Sequence, residues 1–272
     1  MFGPHDGRRV AVHPYRRMMA FLLRGRNASA VYFEQRLDVS RALPWLEAWN
    51  AGRAADAPRA TLFHLVLWTL AGVLHERPRL NRFTVGTRTY ARTGVVLSFA
   101  AKKQMSDDAP LATIKRTFAP AESFATAVAA LGAEVSGARA PAPSAMDREL
   151  RILLALPGFL LAFLIGVLRW LYAVGLAPRS LVDTDPMYAS AFVANLGSLG
   201  IDAPYHHLFE HGTCPLFVAI GRVAPTPLVV DGALAIRPVL TIRYTFDERI
   251  EDGLYCARAL QLLAARLEDP AA

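Results

Sequence analysis

Residues 229–253 read VVDGALAIRPVLTIRYTFDERIEDG, and this stretch decides the fold. Its Asp-Gly dipeptide is a strong turn signal between two apolar runs, residues 216–223 and 234–244, so the pattern predicts a β-hairpin. The hydrophobic period then changes, and residues 253–268 are predicted as a helix. A hairpin that leads directly into a helix favours a layered α/β domain.

Upstream of this stretch, further apolar runs predict strands and helices in alternation. The helix over residues 62–76 has Thr61 as its cap and stops before Pro78. The remaining predicted strands are residues 31–39, 95–101 and 189–194, and the remaining predicted helices are residues 15–23, 43–50 and 111–131. We expect an extended arm over residues 1–14, one domain over residues 15–268 and a tail at residues 269–272.

Composition limits the classes of function. The chain has 272 residues, of which 53% are hydrophobic and 19% charged, so it is not a disordered protein. Only two cysteines are present, Cys214 and Cys256, which excludes a disulfide scaffold and a four-cysteine metal site; no metal is predicted. We expect a reducing, cytoplasmic location, because the first residues contain no apolar run typical of a signal peptide.

Charge is unevenly distributed along the chain. The formal net charge is +7, and residues 1–120 hold 19 basic and eight acidic side chains. This half could attract phosphate groups, a nucleotide-bearing cofactor or anionic lipid. No nucleic-acid partner is expected, because the basic residues form no lysine cluster and no aromatic-studded strand.

An apolar segment, residues 150–178, interrupts the domain. Residues 152–168 contain no charged side chain, are flanked by Arg151 and Arg169, and are interrupted by Pro157. A membrane-spanning helix needs about 20 apolar residues. Three interpretations therefore stay open: a buried hairpin or subunit contact, insertion into a membrane surface, and a true span.

We expect this segment to form one or two helices that project from the domain and break near Pro157 or Gly166. They would pack against symmetry-related copies or enter a bilayer surface, at the inner face of the cell membrane. The side chains expected to make this contact are Phe159, Leu160, Phe163, Leu164 and Trp170.

Three stretches together resemble one family. They are LFHLVLWTLAGVLHERPRLN at residues 62–81, FVANLGSLG at residues 192–200, and AIGRV at residues 219–223 followed by residues 229–253. They are similar to the helix with P-x-L-N, the N-L-G-x-x-G segment and the D-H-R-x-x-D-G motif of one catalytic domain. That domain belongs to the dihydrolipoyl acyltransferase components of 2-oxo acid dehydrogenase complexes, and chloramphenicol acetyltransferase shares its fold.

The resemblance implies a two-layer α/β sandwich with a mixed sheet, with residues 150–178 as an apolar helical insertion. It also implies a homotrimer, and the family's trimers assemble into cages. The family's active site lies in a channel between neighbouring subunits, which coenzyme A enters from one end and the dihydrolipoyl thiol from the other. Because no lipoyl module fits before residue 15, we expect no swinging arm within this chain.

The family's catalytic groups are replaced in this sequence. The position of the catalytic histidine in D-H-R-x-x-D-G is occupied by Glu248, and the hydroxyl position before Asn195 is occupied by Ala194. A glutamate lies roughly four pKa units below a thiol, which costs about 6 kcal/mol of proton-transfer driving force. Loss of an oxyanion donor costs about 3–4 kcal/mol more. The adjacent Arg249 would also keep the carboxylate ionised.

Two further features have alternative interpretations. By resemblance, Asp252 forms a structural ion pair with Arg16 or Arg17 of the N-terminal helix; alternatively, it only caps the helix that starts near residue 253. A second histidine-rich stretch, residues 206–211, superficially resembles an acetyltransferase motif. It lies in the wrong place in the chain, and we interpret it as a surface or channel loop.

The sequence thus predicts a stand-alone homologue of the acyltransferase catalytic domain that is catalytically degenerate and acts as an oligomeric assembly protein. No cofactor is required for such a role. The alternative is an active acyltransferase that uses coenzyme A or an acyl-CoA, with Glu248 or another residue as the base.

Overall fold

The computed structural model describes residues 3–54, 56–102, 111–138 and 154–271. The strands are β1 (Gly7–Arg9), β2 (Ala30–Asp38), β3 (Arg82–Val85), β4 (Arg88–Arg92), β5 (Val95–Lys102), β6 (Leu111–Phe118), β7 (Ala191–Asn195), β8 (Leu216–Val230) and β9 (Ala233–Asp247). The helices are α1 (Pro14–Leu22), α2 (Ala42–Ala51), α3 (Leu62–Glu76), α4 (Phe124–Ala138), α5 (Gly158–Val174), α6 (Arg179–Thr184) and α7 (Gly253–Glu268).

Six strands form the main sheet in the order β2-β9-β8-β7-β5-β6. The strand β7 runs parallel to β5 and β8, and the other neighbours are antiparallel, so the sheet is mixed as predicted. A small antiparallel sheet, β1-β4-β3, lies apart from it. Within the N-terminal arm predicted over residues 1–14, Gly7–Arg9 is extended and pairs with β4, and Pro14 already begins α1.

A layer of helices packs on the main sheet and encloses the core. Apolar side chains of α2, α3, α4 and α7 form one cluster with those of the sheet. The helix α3 is the most deeply buried, and Thr61 and His64 form a capping box at its start. The arrangement is the predicted two-layer sandwich.

The long hairpin of β8 and β9 extends well beyond the sheet. Asp231 and Gly232 have φ values of 50° and 81°, the conformation that an Asp-Gly hairpin turn requires. The β2 ladder reaches β9 only as far as Val239, so residues 225–238 pair with each other, and of these only Pro238 also accepts a backbone hydrogen bond from the end of β2, from the N–H of Val39. We call this part the two-stranded arm. Leu234 and Ile236 on it are 76% and 66% exposed.

The helix predicted over residues 111–131 is wrong. Leu111–Phe118 is the edge strand β6, and the helix α4 starts at Phe124. Side chains alternate along β6, with Ile114, Arg116 and Phe118 buried on one face. Pro120 and the positive φ of Ala121 then turn the chain, so one helix cannot run through this region.

In the described part of the apolar segment, the helical conformation breaks at Pro157, as predicted, and not at Gly166. Residues 150–153 lie outside the described residues, and Leu154 is helical. The helix α5 begins directly after Pro157 and passes through Gly166 without a break. Its first half projects from the domain: Phe159 and Phe163 are 79% and 64% exposed. Within the described ranges, every helix is too short or too polar to cross a bilayer.

Candidate functional site

The turn after β9 is built around a buried ion pair. Asp247 is almost fully buried and accepts hydrogen bonds from the guanidinium of Arg249, with Nε···Oδ1 at 2.8 Å and Nη2···Oδ2 at 2.7 Å. The hydroxyl of Ser29 donates to the same carboxylate at 3.0 Å. The two-point contact fixes the turn, and Arg249 therefore faces Asp247 rather than the carboxylate of Glu248.

Glu248 lies on this turn with an exposed side chain. Its backbone N–H donates to the carbonyl of Ser29 at 2.8 Å, and its carbonyl accepts from Nη1 of Arg16 at 2.6 Å. The backbone is thus held on both sides, while the carboxylate faces solvent. Residues of α1 reach the turn, as the resemblance implies, but they bind its backbone.

The N-L-G segment begins at the end of β7. Ala194 pairs with Ala219 of β8, and Asn195 accepts a hydrogen bond from the backbone N–H of Ser198 at 3.3 Å. Gly197 passes so close to Gly221 that an added Cβ would lie 2.3 Å from the carbonyl oxygen of Gly221. This close crossing explains the glycine at position 197, whereas a Cβ added at Gly221 would lie 2.6 Å from the backbone nitrogen of Ala203.

One chain does not bring Glu248 and Ala194 together. Ala194 is in register with Ala219, which pairs with Arg243 of β9, and Glu248 lies five residues beyond Arg243. That offset is about 16 Å along the strands, in addition to two strand spacings of roughly 5 Å each. A site that uses both positions would need a second copy of the chain.

Asp252 is the N-cap of α7. Its carboxylate accepts the backbone N–H of Tyr255 at 2.9 Å. This hydrogen bond, with a smaller contribution from the charge of Arg16, lowers the pKa of Asp252. In the described part of the chain no ion pair joins Asp252 to Arg16 or Arg17, so the capping alternative describes its contacts.

The carboxylate that does pair with arginines in this segment is Glu251, which sequence reasoning missed. It is buried, and its Oε2 lies 3.2 Å from Nε of Arg79 and 3.0 Å from Nη1 of Arg82. Arg79 lies within the P-x-L-N motif and Arg82 follows it, both far from Glu251 in sequence. No local sequence signal distinguishes Glu251 from Asp252. The two differ because the packing of α3 against α7 brings the two arginines to Glu251.

The histidine-rich stretch is a structured loop. The ring of His206 stacks on Phe217 at 3.8 Å, and burial lowers its pKa. Buried Arg26 donates to the carbonyls of Phe209, Glu210 and Gly212 and so holds the loop against the residues before β2. Among the described residues, no group of three histidine, cysteine or carboxylate side chains is placed to hold a metal ion.

Two cavities lie near these elements. One, of about 380 Å³, lies beside α5 and is lined by Arg26, Arg169 and Arg249 among others. The second is an open cleft of about 920 Å³ along the N-terminal arm and β4. Four arginines line that cleft: Arg8, Arg9, Arg17 and Arg88.

The fold and the motifs are similar to those of the acyltransferase cores of 2-oxo acid dehydrogenase complexes. Residues 180–272 match the model of the 2-oxoacid dehydrogenases acyltransferase catalytic domain. A curated relative is the dihydrolipoyllysine-residue acetyltransferase component of the pyruvate dehydrogenase complex from Bacillus subtilis (strain 168). The two are 31% identical over 100 residues, which is 35% of this chain. That alignment spans only 22% of the relative's length.

Solved structures extend the likeness to the whole fold. Dihydrolipoamide acetyltransferase from Azotobacter vinelandii matches with a TM-score of 0.64 at 16% identity, covering 96% of this chain and 92% of the other. The cubic core of a pyruvate dehydrogenase multienzyme complex matches with a TM-score of 0.63 at 15% identity, covering 96% and 92%. Chloramphenicol acetyltransferase matches with a TM-score of 0.51 at 13% identity, covering 96% and 98%. The predicted fold is confirmed.

Proposed function

We propose that this chain is an oligomeric assembly protein built on the acyltransferase fold, with a degenerate catalytic site and a membrane-attached apolar segment. We place it in the cytoplasm, at the inner face of the cell membrane. The observation that carries the loss of catalysis is Glu248, which takes the place of the motif's histidine on a fixed turn.

The chemistry at this position supports the proposal. The side chain of Glu248 is exposed in the single chain, and a carboxylate replaces the imidazole base of the motif. Ala194 has no hydroxyl to stabilise an oxyanion. The Azotobacter structure was determined to examine the roles of a serine, a histidine and an asparagine in the catalytic mechanism of that enzyme. At the hydroxyl and histidine positions implied by the motifs, this chain has neither group.

Oligomerisation is supported by two features. The site positions are too far apart to meet within one chain, and the two-stranded arm exposes apolar side chains beyond the sheet. Exposed apolar patches of this kind mark contacts between proteins. We propose a homotrimer, and the likeness to a cubic core extends the proposal to a higher cage.

A second candidate function is an active CoA-dependent acyltransferase with Glu248 as the base. The basic cleft lined by Arg8, Arg9, Arg17 and Arg88 favours it, because clustered guanidinium groups suit the phosphates of coenzyme A. Binding coenzyme A in this cleft would not by itself supply a base or an oxyanion donor.

Acetyl transfer from acetyl-CoA to dihydrolipoamide at pH 7 distinguishes the two functions. We expect the wild-type chain to stay at the background rate and Glu248→Gln to change nothing. The double variant Glu248→His with Ala194→Ser should give detectable transfer. Wild-type turnover that Glu248→Gln abolishes, and that the exposed control Glu47→Gln leaves intact, would establish the second function instead.

A further inference from the structure

Most of the surface of the first half of α5 is open to its surroundings. None of residues 158–168 is buried, and residues 162–166 are all exposed. Residues 160, 161, 167 and 168 are half-buried, and Leu168 packs against the cluster of Phe83, Tyr90 and Tyr172, so only the face that carries them approaches the domain. The side chains presented there are almost all apolar, including Phe159, Phe163 and Ile165.

The second half of α5 is firmly attached. Tyr172 is buried, stacks near Tyr188 at 4.6 Å and donates a hydrogen bond to Asp6 at 2.7 Å. At the end of the helix, Gly175 has a φ of 81°, and an added Cβ would lie 2.2 Å from the carbonyl oxygen of Gly3. The helix is therefore a projection with a fixed base.

The boundary between the free and attached halves carries interfacial side chains. Arg169 is exposed, and Trp170 beside it is 61% exposed. The sequence contains no acidic residue between Glu149 and Asp183, so Arg169 is at least 14 residues from any acidic residue in sequence. Tryptophan and arginine at the end of an apolar segment are typical of the headgroup level of a membrane.

We propose that the free half of α5 inserts into the acyl-chain region of one leaflet of an anionic bilayer, with Arg169 and Trp170 at the level of the headgroups. Its eleven residues, 158–168, span about 16 Å at 1.5 Å per residue, close to half of the roughly 30 Å hydrocarbon thickness. The proposal deepens the membrane attachment in the proposed function, and it does not depend on whether the catalytic site is degenerate.

Lipid suits this helix better than a groove on a second copy. A protein groove covers one face of a helix and leaves a polar face outward, whereas a helix that is apolar all round is matched by an apolar medium on all sides. The positive charge of Arg169 at its base complements an anionic headgroup layer.

Flotation of the purified full chain with vesicles tests the proposal. Vesicles of phosphatidylcholine alone are compared with vesicles containing one quarter phosphatidylglycerol. We expect binding to the anionic vesicles to fall at least about tenfold in the variant Phe159→Gln with Phe163→Gln, since two aromatic side chains leave the acyl region. The matched control, Leu199→Gln with Ile201→Gln, removes exposed apolar side chains elsewhere and should bind like the wild type. Arg169→Gln should lower the preference for anionic vesicles about fivefold.

Tryptophan fluorescence gives a second measurement that leaves the apolar side chains of α5 unchanged. Trp45, Trp49 and Trp68 all pack against Phe124 in the domain, so lipid-borne quenchers reach Trp170 first. A quencher near the headgroups should quench more strongly than one at the acyl-chain ends, and Trp170→Phe should remove the effect.

Two results would overturn the proposal. One is wild-type binding to anionic vesicles that the double glutamine variant retains in full. The other is a variant that binds lipid normally but loses its oligomeric mass, which would make α5 a contact between copies. Neither result depends on acetyl-transfer activity, so failure of this proposal is distinct from failure of the assembly and degeneracy proposals.

Discussion

At the residue scale, Asp252 completes the first turn of α7. The first backbone N–H groups of a helix have no partner within it, and the carboxylate accepts one of them from Tyr255. The lowered pKa of Asp252 has the same cause, so this stabilisation is present above the carboxyl group's unfolded pKa. It is lost as the pH falls through the lower folded pKa.

Replacement of Asp252 separates capping from ion pairing. We predict that Asp252→Asn changes the free energy of unfolding by only a few tenths of a kcal/mol, because asparagine caps about as well as aspartate. Asp252→Ala should cost about 1 kcal/mol. Urea unfolding at pH 7 measures both values. If the charge pairing with α1 were the main contribution, asparagine would cost as much as alanine.

Lys115 is a basic side chain held in a partly buried position. Its Nζ donates to the carbonyls of Val182 at 2.7 Å and Asp185 at 3.0 Å, which joins β6 to the segment after α5. Burial lowers the pKa of Lys115 to about 8, with nearby Arg92 adding to the effect. The protonated amine is therefore less stable in the folded chain than in the unfolded one.

Lys115 should give the stability a pH dependence of defined sign. Between about pH 8 and 10.5 the unfolded chain holds this proton more firmly, so the contribution of Lys115 to the free energy of unfolding rises with pH. We predict that the difference between wild type and Lys115→Met grows by about 2 kcal/mol over that window and stays flat from pH 6 to 7.5. Tyrosines and cysteines titrate in both chains, so their contribution cancels in the difference between wild type and Lys115→Met. A difference that is constant from pH 6 to 10.5 would contradict the assignment.

At the scale of elements, the two-stranded arm is the feature with the clearest consequence for assembly. It extends the hairpin past the last strand that could support it, and it carries Leu234 and Ile236 outward. Pro225 and Pro227 are tolerated there because the arm has few ladder partners. A two-stranded ribbon is marginally stable alone in water, so contact with another copy would stabilise it.

The variant Leu234→Gln with Ile236→Gln should convert the oligomer to monomers at micromolar concentration. Each buried apolar side chain lost from the contact is worth about 1.5–3 kcal/mol. The fold should survive, because both side chains are exposed in the single chain. Light scattering gives the mass and circular dichroism the fold, with Leu181→Gln on α6 as an exposed control. An unchanged oligomer would show that the arm is not the contact.

The elements also show what sequence patterns can and cannot predict. The helices α3 and α7 were predicted at their observed bounds, because Thr61 and Asp252 mark their starts and the apolar period is clear. The strand β6 was missed because its buried face includes Arg116, which an ion pair with Glu122 makes possible. The small sheet was missed because β1, β3 and β4 are short and rich in arginine.

The sequence motifs predicted the positions of the site residues but not their contacts. Spacing along the chain located Glu248, Ala194 and Asp252. The partners of those residues come from distant segments, and spacing alone does not reveal them. The pairing of Glu251 with Arg79 and Arg82 depends on how α3 and α7 pack, and the inward turn of Arg249 depends on the burial of Asp247.

At the scale of the whole molecule, the parts form a consistent arrangement. A mixed sheet and its helices hold the turn with Glu248 at one end of β9, while the two-stranded arm leaves the sheet at the other end. The helix α5 projects from a separate base beside the small sheet. The proposed assembly, loss of catalysis and lipid insertion can therefore be tested on different surfaces.

Native mass spectrometry of the wild-type chain at micromolar concentration, without lipid, tests the central proposal most directly. We predict three times the mass of one chain, or a whole multiple of that trimer. The same sample should show no acetyl transfer above background. A monomer at this concentration would contradict the assembly role. The two-stranded arm would then contact no second copy, and no second copy would bring Ala194 near Glu248.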